Sequence, residues 1–175
     1  KTATDRIHAI DPDRMVIIEG SNGTLTPSLE LKDLPNTMQS MHHYFPMTVT
    51  HHQCPWIPDE FYVDESTWPE QYRGIFNGQG EGWEIEQLRA ISNLWFQFAK
   101  EGYSVHMGEC GCYKNTPHDV VLRWFDDILD MTKEYNIGFS LWNFKGPFGI
   151  LDSERKDVEY EDWYGHKLDR KLLNV

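Results

Sequence analysis

Cysteine is scarce in this 175-residue chain. Cys54, Cys110 and Cys112 are an odd number and form no C-x-x-C pair, which excludes a full disulfide framework and argues against a zinc site. Cys110 and Cys112 flank a single residue, an awkward span for a mutual disulfide, so buried free thiols are expected. Positive charge is scarce as well: 16 Lys and Arg stand against 28 Asp and Glu, for a formal net charge of −12. A nucleic-acid backbone or an anionic lipid surface would be repelled, so neither is expected as a partner. Nothing approaches the roughly 20 apolar residues of a membrane span, and no signal-peptide apolar region occurs. The chain starts at Lys1 without a Met, which hints at processing or at a fragment. A removed leader would imply an extracellular or periplasmic location.

What is abundant is aromatic: 7 Trp, 8 Tyr and 9 Phe. Helical periodicity accounts for Trp95, Phe96, Phe98, Trp124 and Phe125 as core. It does not account for Tyr44, Phe45, Trp56, Phe61, Tyr62, Trp68, Tyr72 and Trp83, which fall in loop-like sequence. Aromatics in polar loops suit stacking on the apolar faces of a sugar ring.

Patterning along the chain alternates short strands with helices. Strands are expected at 15–19, 37–42, 103–108 and 138–142, and helices at 83–100 and from Thr116-Pro117 onward. Thr116 reads as the cap of that second helix, with Asp119 three residues later. Residues 43–82 read as one long loop, a length that is usually functional in compact domains. Residues 163–173 read as a short closing helix. Strands separated by helices or long crossovers imply a parallel α/β sheet in one domain, with functional loops at the C-terminal strand ends. Those ends carry Glu19, His42 with Tyr44, Glu109, and Trp142 with Asn143. Glu109 alone also reads as a solvated loop glutamate. Four polar or aromatic tips together read as the floor of a cleft.

The set His42-x-Tyr44-x-Pro46, Gly108-Glu109-x-Gly111 and Leu141-Trp142-Asn143 resembles the family 5 glycoside hydrolases, the endoglucanase-type retaining glycosidases. The resemblance runs from about Ile7 to the C-terminus and maps onto strands five to eight of that family's eight-stranded barrel. Phe148–Asp157 also looks like the end of such enzymes. The resemblance implies a partial TIM-type β/α barrel of about four parallel strands over residues 1–175. It implies endo-β-1,4-glucanase-like hydrolysis of a neutral β-glucan oligosaccharide or polysaccharide. Glu109 becomes the nucleophile. His42 and Tyr44 contact the sugar, with Tyr44 bonded to the nucleophile, and Trp142 stacks under the sugar. Asn143, Trp56 and Trp68 join as expected substrate-binding residues. No metal and no cofactor are expected. Adjacent His pairs at 42–43 and 51–52 point opposite ways on a strand and lack a carboxylate at ligand spacing.

The chain departs from the family at the general acid, an Asn-Glu pair after the fourth strand. No Asn-Glu pair occurs in the 175 residues. Glu19, next to the missing strand, is the candidate acid/base in its place, with a structural carboxylate as the competing reading. A half-barrel would also leave two strand edges unpaired, so closure of two copies as a homodimer is expected. The other reading is a glycan-binding or catalytically impaired half-barrel. Asp152, Glu154 and Asp157 are expected to form a solvated loop with Arg155 and Lys156.

Overall fold

The computed structural model describes residues 1–70 and 82–175; Tyr72 lies outside them. In chain order the elements are α1 (Thr2–His8), β1 (Val16–Glu19), α2 (Ser21–Thr24), β2 (Thr37–His43), α3 (Met47–Thr50), α4 (Ile85–Lys100), β3 (Val105–Cys110), α5 (His118–Glu134), β4 (Gly138–Leu141), β5 (Glu161–Trp163), β6 (His166–Leu168) and α6 (Arg170–Leu173). Strands β1 to β4 form one parallel sheet in sequence order. Among the described residues β1 and β4 are its unpaired edges.

One face of this sheet is dry. Met41, Val105, Met107 and Cys110 pack with Leu88, Trp95 and Phe98 of α4 and with Val121, Trp124, Phe125 and Ile128 of α5. These helix positions recur at the expected helical spacing, so periodicity placed both helices correctly. The indoles do more than fill space. Trp95 donates its Nε1–H to Thr24 O at 2.9 Å, and Trp124 donates to Phe45 O at 2.8 Å. Each anchors to the core a segment that follows a strand tip. The opposite face is open: Ile17 is 56% exposed, and His106 Nε2 meets Ser140 Oγ at 3.0 Å across β3 and β4.

Register along β2 and β3 slips by one residue. Met41 pairs with Met107, but His42 pairs with Glu109 and His43 with Cys110, leaving Gly108 as the extra residue. A one-residue bulge reverses the face of everything beyond it. Met107 faces the helices, so strict alternation would send Glu109 to the same side. The bulge turns Glu109 onto the open face beside His42 and returns Cys110 to the core.

Several expectations are corrected. Residues 163–173 are not a helix. Tyr164 (φ 52°) and Gly165 (φ 81°) make a two-residue turn with both residues left-handed, which joins β5 to β6 as a hairpin. Only α6 is helical there, capped by Asp169, whose Oδ1 accepts from Leu172 N at 3.0 Å. Thr116 does not cap α5. Its hydroxyl donates to Val49 O at 2.7 Å, and the first free amide of α5, His118 N, donates instead to Asp157 Oδ2 at 2.7 Å. Nor is the 152–157 stretch simply solvated. Arg155 is 3% exposed and donates to the carbonyls of Cys112, Tyr113 and Thr116. The 43–82 stretch contains α3 and a 3-10 turn at Asp59–Phe61.

Two outcomes test this architecture. A Cβ built at Gly108 lies 2.4 Å from Ser40 Oγ and 4.0 Å from His42 Nε2. Ser40 can rotate to admit one methyl group, so Gly108→Ala should cost under ~1 kcal/mol and Gly108→Val ~2 kcal/mol or more by urea unfolding. Equal stability of both variants would mean that the bulge has slack. The second concerns Glu70, which is 6% exposed and bonded to Thr48. Burial pushes its carboxyl up to about 7, against the lowering effect of Thr48. The native state then holds a proton that the unfolded chain gives up at lower pH. Its contribution is full below the unfolded value and lost as pH rises to about 7. Glu70→Gln should therefore gain on the wild type by up to ~2 kcal/mol between acid and neutral pH. A gap that stays constant with pH would show an ionised Glu70 in the fold.

Candidate active site

Glu109 is the centre of the strand-tip cluster. Tyr44 Oη donates to Glu109 Oε2 at 3.0 Å. His42 Nδ1 stands 3.6 Å from the same oxygen, and His42 Nε2 lies 3.0 Å from Glu19 Oε2. Burial, with Glu109 as the next cause, raises the Tyr44 phenol far above its usual range, so it remains a donor at any ordinary pH. Both neighbours of the Glu109 carboxylate thus gather at Oε2. Among the described residues no group donates to Oε1. The Glu109 side chain is 29% exposed, open enough to be reached.

The loop after β2 is braced to hold Tyr44. Thr50 Oγ1 donates to Tyr44 O at 2.7 Å, and His51 packs its ring edge on Tyr44 at 5.2 Å. Burial lowers His51 to about 4, so it serves as a neutral wedge. Nothing in the sequence pattern marked Thr50, His51 or Arg155 as supports; each is a polar residue whose partner is a carbonyl or ring far away in sequence or on another turn.

The remaining expected residues separate into three kinds. Trp142, 49% exposed, follows β4 directly and donates its backbone N–H to Cys110 O at 2.8 Å. Gly111 permits that approach, since a Cβ there would lie 2.6 Å from Trp142 O. Trp56 is 62% exposed and rests on Tyr113 (5.4 Å between centroids) and Phe148 (6.4 Å); Phe148 in turn contacts Tyr44 at 6.3 Å. It offers a free indole face beyond Tyr44. Asn143 folds over its own turn, with Nδ2 2.9 Å from the position of a Cβ at Gly146, and its Oδ1 is buried without a hydrogen-bond partner among the described residues. Trp68 is a correction. It is 3% exposed, donates Nε1–H to Asp127 Oδ2 at 2.7 Å and accepts from Arg123 Nε at 2.8 Å through its carbonyl. It has no face to offer a ligand; it pins its loop to α5.

All three cysteines are free and buried. Burial raises Cys110 to about 12 and Cys54 to about 11, so neither is a thiolate nucleophile. Among the described residues no group of three His, Cys, Asp or Glu could hold a metal ion.

With this geometry in view, the comparisons with known proteins are direct. The family model for cellulase (glycosyl hydrolase family 5) matches residues 1–147. Endoglucanase C of Acetivibrio thermocellus is 25% identical over 174 residues, covering 89% of this chain and 51% of that protein. A solved glycoside hydrolase is 38% identical with a TM-score of 0.86, covering 99% of this chain and 51% of that one. A hyperthermophilic endo-beta-1,4-glucanase solved with substrate shares the fold at 22% identity and a TM-score of 0.71. The chain spans about half the length of the relatives it matches, 51% in each of the first two. Four parallel strands with their helices are accordingly a partial α/β barrel. The chain belongs to glycosyl hydrolase family 5, the cellulase family.

Proposed function

We propose that this chain carries the nucleophile half of a retaining β-1,4-glucan hydrolase of the endoglucanase type. The observation that carries the reading is Glu109, with Tyr44 donating to Oε2 at 3.0 Å and Oε1 left free at a strand tip. In the first step Oε1 attacks the anomeric carbon and the glycosidic C–O bond breaks. The leaving oxygen takes a proton from a general acid, and water then hydrolyses the glycosyl ester. Tyr44 holds the carboxylate without competing for Oε1. Trp142 supplies a platform beside the reacting sugar, and Trp56 one further along. A net charge of −12 suits a neutral glucan better than a polyanionic one. The relatives named as endoglucanases support this substrate class.

Among the described residues the acid for the leaving oxygen is the unfilled role. The expected stand-in, Glu19, stands across the His42 ring from Glu109, so the imidazole occupies the line between the carboxylates. This arrangement favours an acid from a second half-barrel. For this chain taken by itself, that half is a second copy, closed against the open face and covering the β1 and β4 edges and Ile17.

Three measurements test the proposal. A 2-fluoro cellobioside with a good leaving group needs no acid, and should label Glu109 as a covalent ester detectable by mass spectrometry of its peptide. Glu109→Gln should abolish labelling while cello-oligosaccharide binding survives. Labelling elsewhere, or none in a chain that binds the sugar, would instead favour a glycan-binding half-barrel. Glu19→Ala should lower turnover of aryl and natural glucosides in proportion. Loss confined to natural glucans would assign the acid to Glu19. Sedimentation at micromolar concentration should show a dimer; a stable monomer would remove the second copy from the reading.

A further inference from the structure

We propose that the cavity between the loop after β2 and the loop after β3 is a second glucan-anchoring site, holding a glucosyl unit of a neutral glucan apart from the Glu109 cluster. The ligand class rests on the reading of this chain as half of a glucan hydrolase; the site itself does not. The cavity has a volume of about 310 Å³, at the lower end of the range for small-molecule sites. Four polar side chains converge on it: Gln53, Asp59, Tyr62 and Asn115. Among the described residues Gln53, Asp59 and Tyr62 spend no side-chain polar atom on a partner, and Asn115 spends only its Nδ2, which donates to Gln53 O at 3.3 Å. The Asp59 carboxylate, the two amides and the phenol thus remain for a ligand rich in hydroxyls. Tyr62, 53% exposed, adds a ring face for the apolar side of a pyranose. Among the described residues lining the cavity there is no Lys, Arg or His, and Asp59 would repel an anion, so a neutral sugar is favoured over an acidic one.

The cavity is built before any ligand arrives. Pro55 and Pro58 restrict its wall, and the 3-10 turn at Asp59–Phe61 carries Tyr62, whose N–H is donated to Asp59 O at 2.9 Å. The Asn115 contact ties Gln53 to the loop after β3. Cys54 and Ile57 line the cavity and belong with Tyr44, Tyr113 and Phe148 to one apolar cluster. Trp56, between Pro55 and Ile57, rests its exposed indole on Tyr113 and Phe148. Cavity, Trp56 platform and Tyr44 are therefore fixed to the same cluster, which sets the anchoring site in a constant relation to Glu109.

The test is a titration of the full chain with cellotetraose, followed in amide proton–nitrogen spectra, and it requires no turnover. The amides of Gln53, Asp59, Tyr62 and Asn115 should shift together. Those shifts should survive in Glu109→Gln and in Trp142→Ala. Asp59→Ala and Tyr62→Ala replace exposed side chains outside the core, and each should weaken the response at the cavity by roughly tenfold or more, the loss expected for a charge-assisted hydrogen bond or a stacking face. Glucuronic acid at the same concentration should leave the cavity amides unmoved. Silent cavity amides under cellotetraose, a response unchanged in both variants, or an equal response to glucuronic acid would each overturn the proposal. A cavity that responds while Glu109 resists covalent labelling would sink the hydrolase reading alone; a labelled Glu109 beside a silent cavity would sink this proposal alone.

Discussion

The register slip at Gly108 is the constraint on which the site depends. Along β3 the helix-facing positions are Val105 and Met107, and parity would give Glu109 to the same dry face. There it would be an unpaired carboxylate buried among apolar side chains, at a cost of several kcal/mol. One extra residue moves it to the open face and restores Cys110 to the core, where it is 0% exposed. Gly108 suits the role because the space where its side chain would go belongs to Ser40 and, further off, to His42. Its backbone is not left-handed, so the demand is for room and not for an unusual φ.

Around that slip, the tips are held from outside. The α4 and α5 indoles bond to carbonyls beyond β1 and β2, so helix packing and loop placement are the same interaction. The loop between β3 and α5 is gathered by the buried Arg155 guanidinium, which takes three of its carbonyls. A buried cation with carbonyl partners removes what would otherwise be orphaned acceptors. Asp169, at the end of the chain, pairs with His118 at the start of α5 at 2.9 Å, tying the C-terminal hairpin and α6 to the same helix. The rigidity of the Glu109 neighbourhood thus comes from polar contacts between segments far apart in sequence, laid over a core of ordinary apolar packing.

That division explains what could be read in advance. The two long helices announced themselves through apolar spacing, and the strand tips through polar residues that interrupt apolar runs. Both are local patterns. Glu109, His42, Tyr44 and Trp142 were singled out because each sits at such an interruption and together they resemble a known motif set. The bulge was not legible: alternation gives parity and is silent about an inserted residue until a partner strand supplies the register. Trp68 failed for the opposite reason. It lies in loop-like sequence, yet Asp127 and Arg123 of α5 bury it, and no local pattern reveals a partner some sixty residues away. The Tyr164-Gly165 hairpin was missed because its strands, Glu161–Trp163 and His166–Leu168, are three residues each and mostly polar, too short to show an alternating pattern.

The chemistry that remains follows from the one-sidedness of the sheet. A glycosidic bond needs a carboxylate below the anomeric carbon and a proton above its leaving oxygen. Strands β2 to β4 bring together what the proposed first step needs: a carboxylate with one oxygen held and one free, a phenol kept neutral by burial, and an exposed indole at the adjacent tip. The β1 edge supplies Glu19, but His42 stands between it and Glu109. The open face is therefore incomplete in two senses at once. Among the described residues its strand edges lack hydrogen-bond partners and, in the proposed reaction, Glu109 lacks an opposing acid; a single second layer of strands closing the barrel would supply both.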